Sequence, residues 1–161
     1  MKTAALLAIS LWAASSAHAH EAATQPAGTC STTPEANREL VLHFYRRALV
    51  DRKPREAFEH HASEGFIEHK PDIPQGTRES TIVFLEGLIR QLPEGRWEVL
   101  RAAAQDDLVF VHVRFTPAPG APEYAIADVF RLADCRIVEH WDVVAQGPAP
   151  GAASPNPNPR F

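Results

Sequence analysis

The stretch Glu123 to Val144, E-Y-A-I-A-D-V-F-R-L-A-D-C-R-I-V-E-H-W-D-V-V, constrains this chain most. Two runs rich in β-branched and aromatic residues, Tyr124 to Leu132 and Ile137 to Val144, flank Ala133-Asp134-Cys135. They read as a hairpin. Its strands carry Asp128, His140 and Asp142, and a strand interior disfavours a carboxylate that lacks water, a partner or a cavity. The turn decides who shares a face. A two-residue loop, Asp134-Cys135, puts Asp128 opposite Trp141 and turns His140 and Asp142 away from it. A three-residue loop with a left-handed Cys135 pairs Leu132 with Arg136 and Asp128 with His140. We favour the latter because it gathers Asp128, His140 and Asp142 among Tyr124, Ile126, Phe130, Val138 and Val144, the composition of a binding pocket. A slip of one residue would scatter the set. The competing reading is an edge hairpin whose polar groups are simply solvated.

Upstream, the spacing predicts helices. Thr33-Pro34-Glu35 supplies an N-cap, a proline at the first helical position and an early acid. Apolar rows Leu40-Phe44-Ala48 and Val41-Tyr45-Leu49 carry that helix to about Asp51. Pro54 opens a short second helix to about Ala62. Phe66-Ile67-Glu68-His69 is a short strand or extended run, and Arg78 to Leu92 is a third helix with Ile82, Leu85, Ile89 and Leu92 on its buried stripe. Trp97 to Ala104 and Leu108 to Thr116 then read as strands about the Asp106-Asp107 turn. Helices first and an antiparallel meander last make an α+β domain. The expected architecture is a cone-shaped, curved antiparallel sheet wrapped around the N-terminal helices, with a cavity inside.

The ends read differently. Lys2, the apolar run Ala4 to Ala14 and Ala17-His18-Ala19 have the form of a secretory signal over residues 1–19. We therefore expect a mature chain from His20, a periplasmic or secreted location, and no membrane association after cleavage. Residues 20–32 read as a flexible arm, 33–146 as the domain, and 147–161 as a disordered tail of Pro, Ala, Gly and Asn. Two cysteines, Cys30 and Cys135, meet an oxidising compartment. A disulfide between them is expected, the alternative being two unrelated thiols. The formal charge of −4 with no basic cluster argues against nucleic acid. The histidines lack metal-binding spacing, although a face holding His112, Asp128, His140 and Asp142 could in principle coordinate an ion.

The motifs Phe66-Ile67-Glu68-His69-Lys70-Pro71, Asp128-Val129-Phe130-Arg131 and Ile137-Val138-Glu139-His140-Trp141-Asp142, in this order of elements, are similar to the nuclear transport factor 2-like superfamily. Within it, residues 37–146 most resemble the SnoaL-like polyketide cyclases. Cys135 stands where that family usually has glycine, and Lys70 where Asn is common. The resemblance implies an α+β barrel and a cofactor-independent aldol condensation or cyclisation. Ketosteroid isomerase, a more distant relative, implies a general base at the position of His69 and an oxyanion hole at Asp128 and Tyr45. On this reading His69 is the base, Asp128 the acid or oxyanion donor, and Tyr45, His112, Tyr124, Phe130, His140 and Asp142 contact substrate. A free imidazole suits proton abstraction beside a carbonyl at neutral pH. The expected ligand is a small apolar carbonyl compound. The rival reading is a non-catalytic carrier with the same cavity. A sheet face bearing Ala125, Ala127, Val129, Ile137, Trp141 and Val143 leads us to expect a homodimer.

Overall fold

The computed structural model describes residues 30–161 except 154, 157 and 159. The signal segment and most of the arm lie outside the described residues. Helix α1 spans Pro34–Tyr45 and runs on through a π-helical turn, Arg46–Val50. Its start is capped as the sequence requires, with the Thr33 hydroxyl accepting from the Ala36 amide. Helix α2 follows at Pro54–His61 and strand β1 at Ala62–Glu68. A 3₁₀ turn at Pro74–Gly76 leads into α3, Arg78–Gln91, which opens on a reciprocal Thr77–Ser80 capping box. Strands β2 (Arg96–Gln105), β3 (Leu108–Thr116), β4 (Tyr124–Ala133) and β5 (Arg136–Gln146) complete the domain.

The five strands form one sheet in the order β1-β5-β4-β3-β2. Strands β2 to β5 are an antiparallel meander, whereas β1 lies parallel to β5. This corrects the expected cone. The sheet is mixed rather than antiparallel, and it neither closes nor curls, because β1 and β2 remain separate edges instead of pairing with each other. Closing a barrel needs strand tilt and a register stagger that bring the two edges together. Here a single return strand joins only one side of the meander.

One face of the sheet carries the core. Val109, Val111, Val113 and Phe115 alternate inward along β3 and meet Val41, Phe44 and Ala48 of the first helix. Phe44 packs edge-on against Phe58 at 4.9 Å and against Phe130 at 5.8 Å, and Phe58 against Phe66 at 5.3 Å. Edge-to-face contacts of this kind add to the burial itself.

The β4–β5 hairpin departs from the expected register in an instructive way. Its turn has two residues, Asp134 and Cys135, both with positive φ, at 47° and 55°. That is the backbone of a type I′ turn, whose twist matches the strands it joins. The three-residue loop is thus not formed. A bulge restores the facing: Leu132 pairs with Ile137, but Arg131 pairs with Glu139, leaving Val138 unopposed. From there Phe130 faces His140 and Asp128 faces Asp142. The bulge also turns Ile137 inward, where it is fully buried, and so removes it from the outer face assigned to it. Cys135 bridges to Cys30 with a Cα–Cα separation of 5.9 Å. The expected disulfide is present, tying the segment before α1 to the tip of the hairpin.

Candidate functional site

A cavity of about 240 Å³ lies between the inner face of the sheet and the helices. Its walls are mostly aromatic and aliphatic, with Phe44, Phe58, Phe66, Phe84, Trp97 and Phe115 among them. Into this apolar space project Tyr45 from α1, Glu68 from β1, Lys70 just after it, Asp128 from β4, and His140 and Asp142 from β5.

The polar groups are connected. Both oxygens of Glu68 lie within 3.0 Å of His140 Nδ1, and Glu68 Oε1 also accepts from the Lys70 amide at 2.9 Å. On the other side of the ring, Nε2 lies 3.1 Å from Asp128 Oδ1. Each ring nitrogen faces a carboxylate, and only the imidazolium donates from both. Burial opposes that charge, but Asp128 and Glu68 outweigh it and lift the pKa of His140 to about 10. The ring is further fixed by Phe130, whose centroid is 4.7 Å away. Asp142 accepts from Lys70 Nζ at 2.8 Å. Burial works against the ammonium, yet the pairing with Asp142 raises the Lys70 pKa, so it stays charged. Tyr45 is buried; burial first, and the neighbouring Asp128 second, push its pKa well above 10. It therefore remains a neutral hydroxyl.

One atom stands out. Asp128 is 5% exposed, and its Oδ2 is enclosed with no hydrogen-bond partner among the described residues. A buried carboxylate oxygen left open is costly. The Asp128 carboxylate is fixed at Oδ1 by His140, and the neighbouring Tyr45 hydroxyl interacts with the same carboxylate without making a hydrogen bond of normal geometry to Oδ2.

Glu68 reaches this place because the chain makes a tight return after β1. Gly76 has φ 58°, and a Cβ there would come within 2.5 Å of the Glu68 carbonyl oxygen. Only glycine permits both the conformation and the approach. Ile67 bridges to Thr77 beside it, and β1 meets β5 at Ile67–Glu139 and Glu68–His140.

Among the residues singled out from sequence, Tyr45, Tyr124, Asp128, Phe130, His140 and Asp142 all line the cavity. His69 and His112 do not. His69 projects to the other face of the sheet, stacked on Trp141 with centroids 4.5 Å apart and planes 6° from parallel, and 3.6 Å from Glu139. The alternation along β1 turns Phe66 and Glu68 inward, so His69 points out. The imidazole proposed as the base is thus replaced at the cavity by the carboxylate one residue earlier. His112 opposes Ala127 in the register and sits on the outer face 2.9 Å from Arg101, apart from Asp128 and His140. That separation breaks up the four-residue face considered for a metal, and no cluster of three or more metal-ligating side chains occurs among the described residues.

Sequence reasoning missed Glu68 and Lys70. The signal for Glu68 was its position two residues after Phe66, which puts both on one face. Phe66 and Ile67 are adjacent and both apolar, so alternation alone leaves the parity open, and the family resemblance places His69 in the site instead; Phe66 is 4% exposed and Ile67 47%.

No curated protein matches the sequence. Solved structures do match in fold. A proposed SnoaL-like polyketide cyclase from Jannaschia sp. CCS1 superposes with a TM-score of 0.60 at 22% identity, covering 71% of this chain and 88% of its own. AclR from Streptomyces galilaeus, a proposed hydroxylase, gives 0.60 at 18% identity over 70% and 91%. A proposed ketosteroid isomerase from Kribbella flavida gives 0.58 at 18% identity over 79% and 87%. At these identities the likeness is one of fold. The sequence itself matches the SnoaL-like domain over residues 41–140, more than half of the 161 residues and nearly the whole span from the first helix to His140. The chain belongs to the SnoaL-like domain family.

Proposed function

We propose that the protein binds a small apolar carbonyl compound in this cavity and transfers a proton at the carbon beside the carbonyl. The observation that carries the reading is the open Oδ2 of Asp128, buried in an apolar cavity and backed by a fixed imidazolium. Oδ2 removes the proton, and the electron pair of the broken C–H bond moves onto the carbonyl oxygen. The Tyr45 hydroxyl donates to that oxygen, since its raised pKa keeps the proton in place. His140, held by Glu68, keeps Asp128 oriented and balances its charge in the resting state. Asp128 then returns the proton to a different carbon, giving isomerisation, or the enolate carbon attacks a second carbonyl, giving an aldol product. Asp128 takes the part of base that the sequence had offered to His69.

The disulfide supports an oxidising location, and with the N-terminal signal pattern it favours export to the periplasm or beyond. The test is hydrogen–deuterium exchange at the α-carbon of a panel of apolar ketones in D₂O, followed by NMR. Wild-type protein should accelerate exchange, and Asp128→Asn should lower the rate by roughly 10²- to 10⁴-fold while ketone binding persists. Ketones that bind without any exchange would leave a carrier function as the better reading.

A further inference from the structure

Asp128 and Asp142 are register partners across β4 and β5, on the inner face of the sheet. Directly opposed like charges destabilise a strand pair. When two carboxylates share a site they tend to hold one proton between them. His140 answers only the Asp128 half of this conflict, because its two nitrogens are committed to Glu68 and Asp128 and neither is bonded to Asp142. The cation that meets Asp142 is Lys70, at 2.8 Å, with its side chain largely enclosed. Lys70 also reaches the exposed Asp72 at 3.6 Å, a weaker and more solvated contact. The groups facing the pair are therefore Lys70 and Asp72 from the loop after β1, Glu68 from β1, Tyr45 from α1 and His140 from β5.

We propose that Lys70 is a positioning residue that holds Asp142 as a separate, neutralised carboxylate, so that Asp128 alone presents a free proton-accepting oxygen to the cavity. Lys70 does not act as a nucleophile, since its ammonium is committed to two carboxylates. With Lys70 gone, three enclosed carboxylates would share the single imidazolium of His140. The site then lowers its energy by taking up a proton onto the Asp128–Asp142 pair, and a carboxyl that already holds a proton cannot remove another. This proposal rests on the acid/base reading of Asp128, but its test needs no substrate.

The experiment is infrared difference spectroscopy of the full chain at pH 7, comparing variants with wild type in H₂O and D₂O. Lys70→Met is expected to gain the carbonyl stretch of one protonated carboxylic acid, shifted by deuteration. Lys70→Arg should lack that band, because a guanidinium still neutralises Asp142. The double variant Lys70→Met/Asp142→Asn should lack it too, because the carboxylate that needed neutralising is gone. That rescue separates charge placement from a purely structural role, in which the double variant would be no better than the single one. Thermal melting of each variant establishes that the comparison is made on folded protein. Absence of the band in folded Lys70→Met, or its persistence in the double variant, would overturn the proposal. Failure of ketone exchange in wild type with the band pattern intact would remove the catalytic reading and leave the charge arrangement standing.

Discussion

His140 and Asp128 meet at 3.1 Å although neither is the other's cross-strand partner: His140 opposes Phe130, and Asp128 opposes Asp142. The contact is diagonal, and the phenyl ring of Phe130 supports the imidazole along the way. A diagonal pair of this kind stays within reach of long and aromatic side chains. It lets one imidazolium serve two strands at once, since its other nitrogen reaches Glu68 on β1.

This arrangement fixes a pH dependence. His140 has a folded pKa of about 10 against an ordinary value of 6.5. A group whose pKa is raised by folding stabilises the folded state fully below its unfolded pKa and loses that contribution as pH rises through the folded value. Stability from this group should thus be complete below about pH 6.5 and decline toward pH 10, by an amount on the order of a few kcal/mol. Urea unfolding at pH 6 and pH 10 measures it. His140→Gln, which cannot titrate, should flatten the difference between the two; an unchanged slope would show that other groups set it.

Breaking the network from one side should be severe. His140→Ala leaves Glu68 and Asp128 enclosed without their cation, and removing one partner of a buried ion pair costs about 3–5 kcal/mol. In a double-mutant cycle, Glu68→Gln should recover part of that loss. Strict additivity in denaturant titrations would mean that Glu68 and His140 are not energetically coupled.

His69 offers the opposite test. It stacks on Trp141 on the face away from the cavity. His69→Ala should leave ketone exchange and cavity binding unchanged, with only the stacking contribution of about 0.5–1.5 kcal/mol lost from stability. A large fall in turnover would restore His69 as a catalytic group.

The disulfide closes a sequence separation of 105 residues. The chain-entropy treatment gives about 4.7 kcal/mol for a loop near that length, with about 2–4 kcal/mol more typical in practice. Thiol titration of native protein should find none free without reductant. Adding reductant should lower the urea midpoint, and Cys30→Ser/Cys135→Ser should show the same midpoint with or without it.

The outer sheet face exposes Phe110 at 43% and Val143 at 70%, with Ala127 and Val129 between them in the register. We expect two copies to associate through it, giving a dimer mass by light scattering at high micromolar concentration. Val143→Glu should shift that mass to the monomer. A monomer in wild type would mean the patch stays solvated.

The hairpin was legible because its polar and apolar residues alternate with period two, and its face assignment survived an error in the turn. The sequence reading lengthened the loop by one residue. The chain instead keeps a two-residue turn and adds its extra residue as a bulge at Val138. Both devices shift the register to the same parity, so Asp128, His140 and Asp142 face together either way. The bulge itself had no local mark in Ile137-Val138-Glu139. The parity of β1 was harder to read, since Phe66 and Ile67 are adjacent and equally apolar. The choice between them decides whether Glu68 or His69 enters the site. The parallel pairing of β1 with β5 was not legible, because nothing local to either strand encodes a partner so far along the chain. The cone failed for the same reason: it was drawn from the order of elements, whereas closure depends on which edges meet.

That parallel pairing has a kinetic consequence. Glu68 and His140 are 72 residues apart, and neither belongs to a hairpin with the other. The meander can form from near-neighbour contacts, but β1 must wait for the chain between it and β5 to be ordered before it docks. The carboxylate–imidazole contact should therefore be among the last native interactions to appear during refolding. An intermediate with the meander formed and β1 undocked would have its secondary structure largely in place and its chemistry absent, so recovery of ligand binding would lag recovery of strand signal.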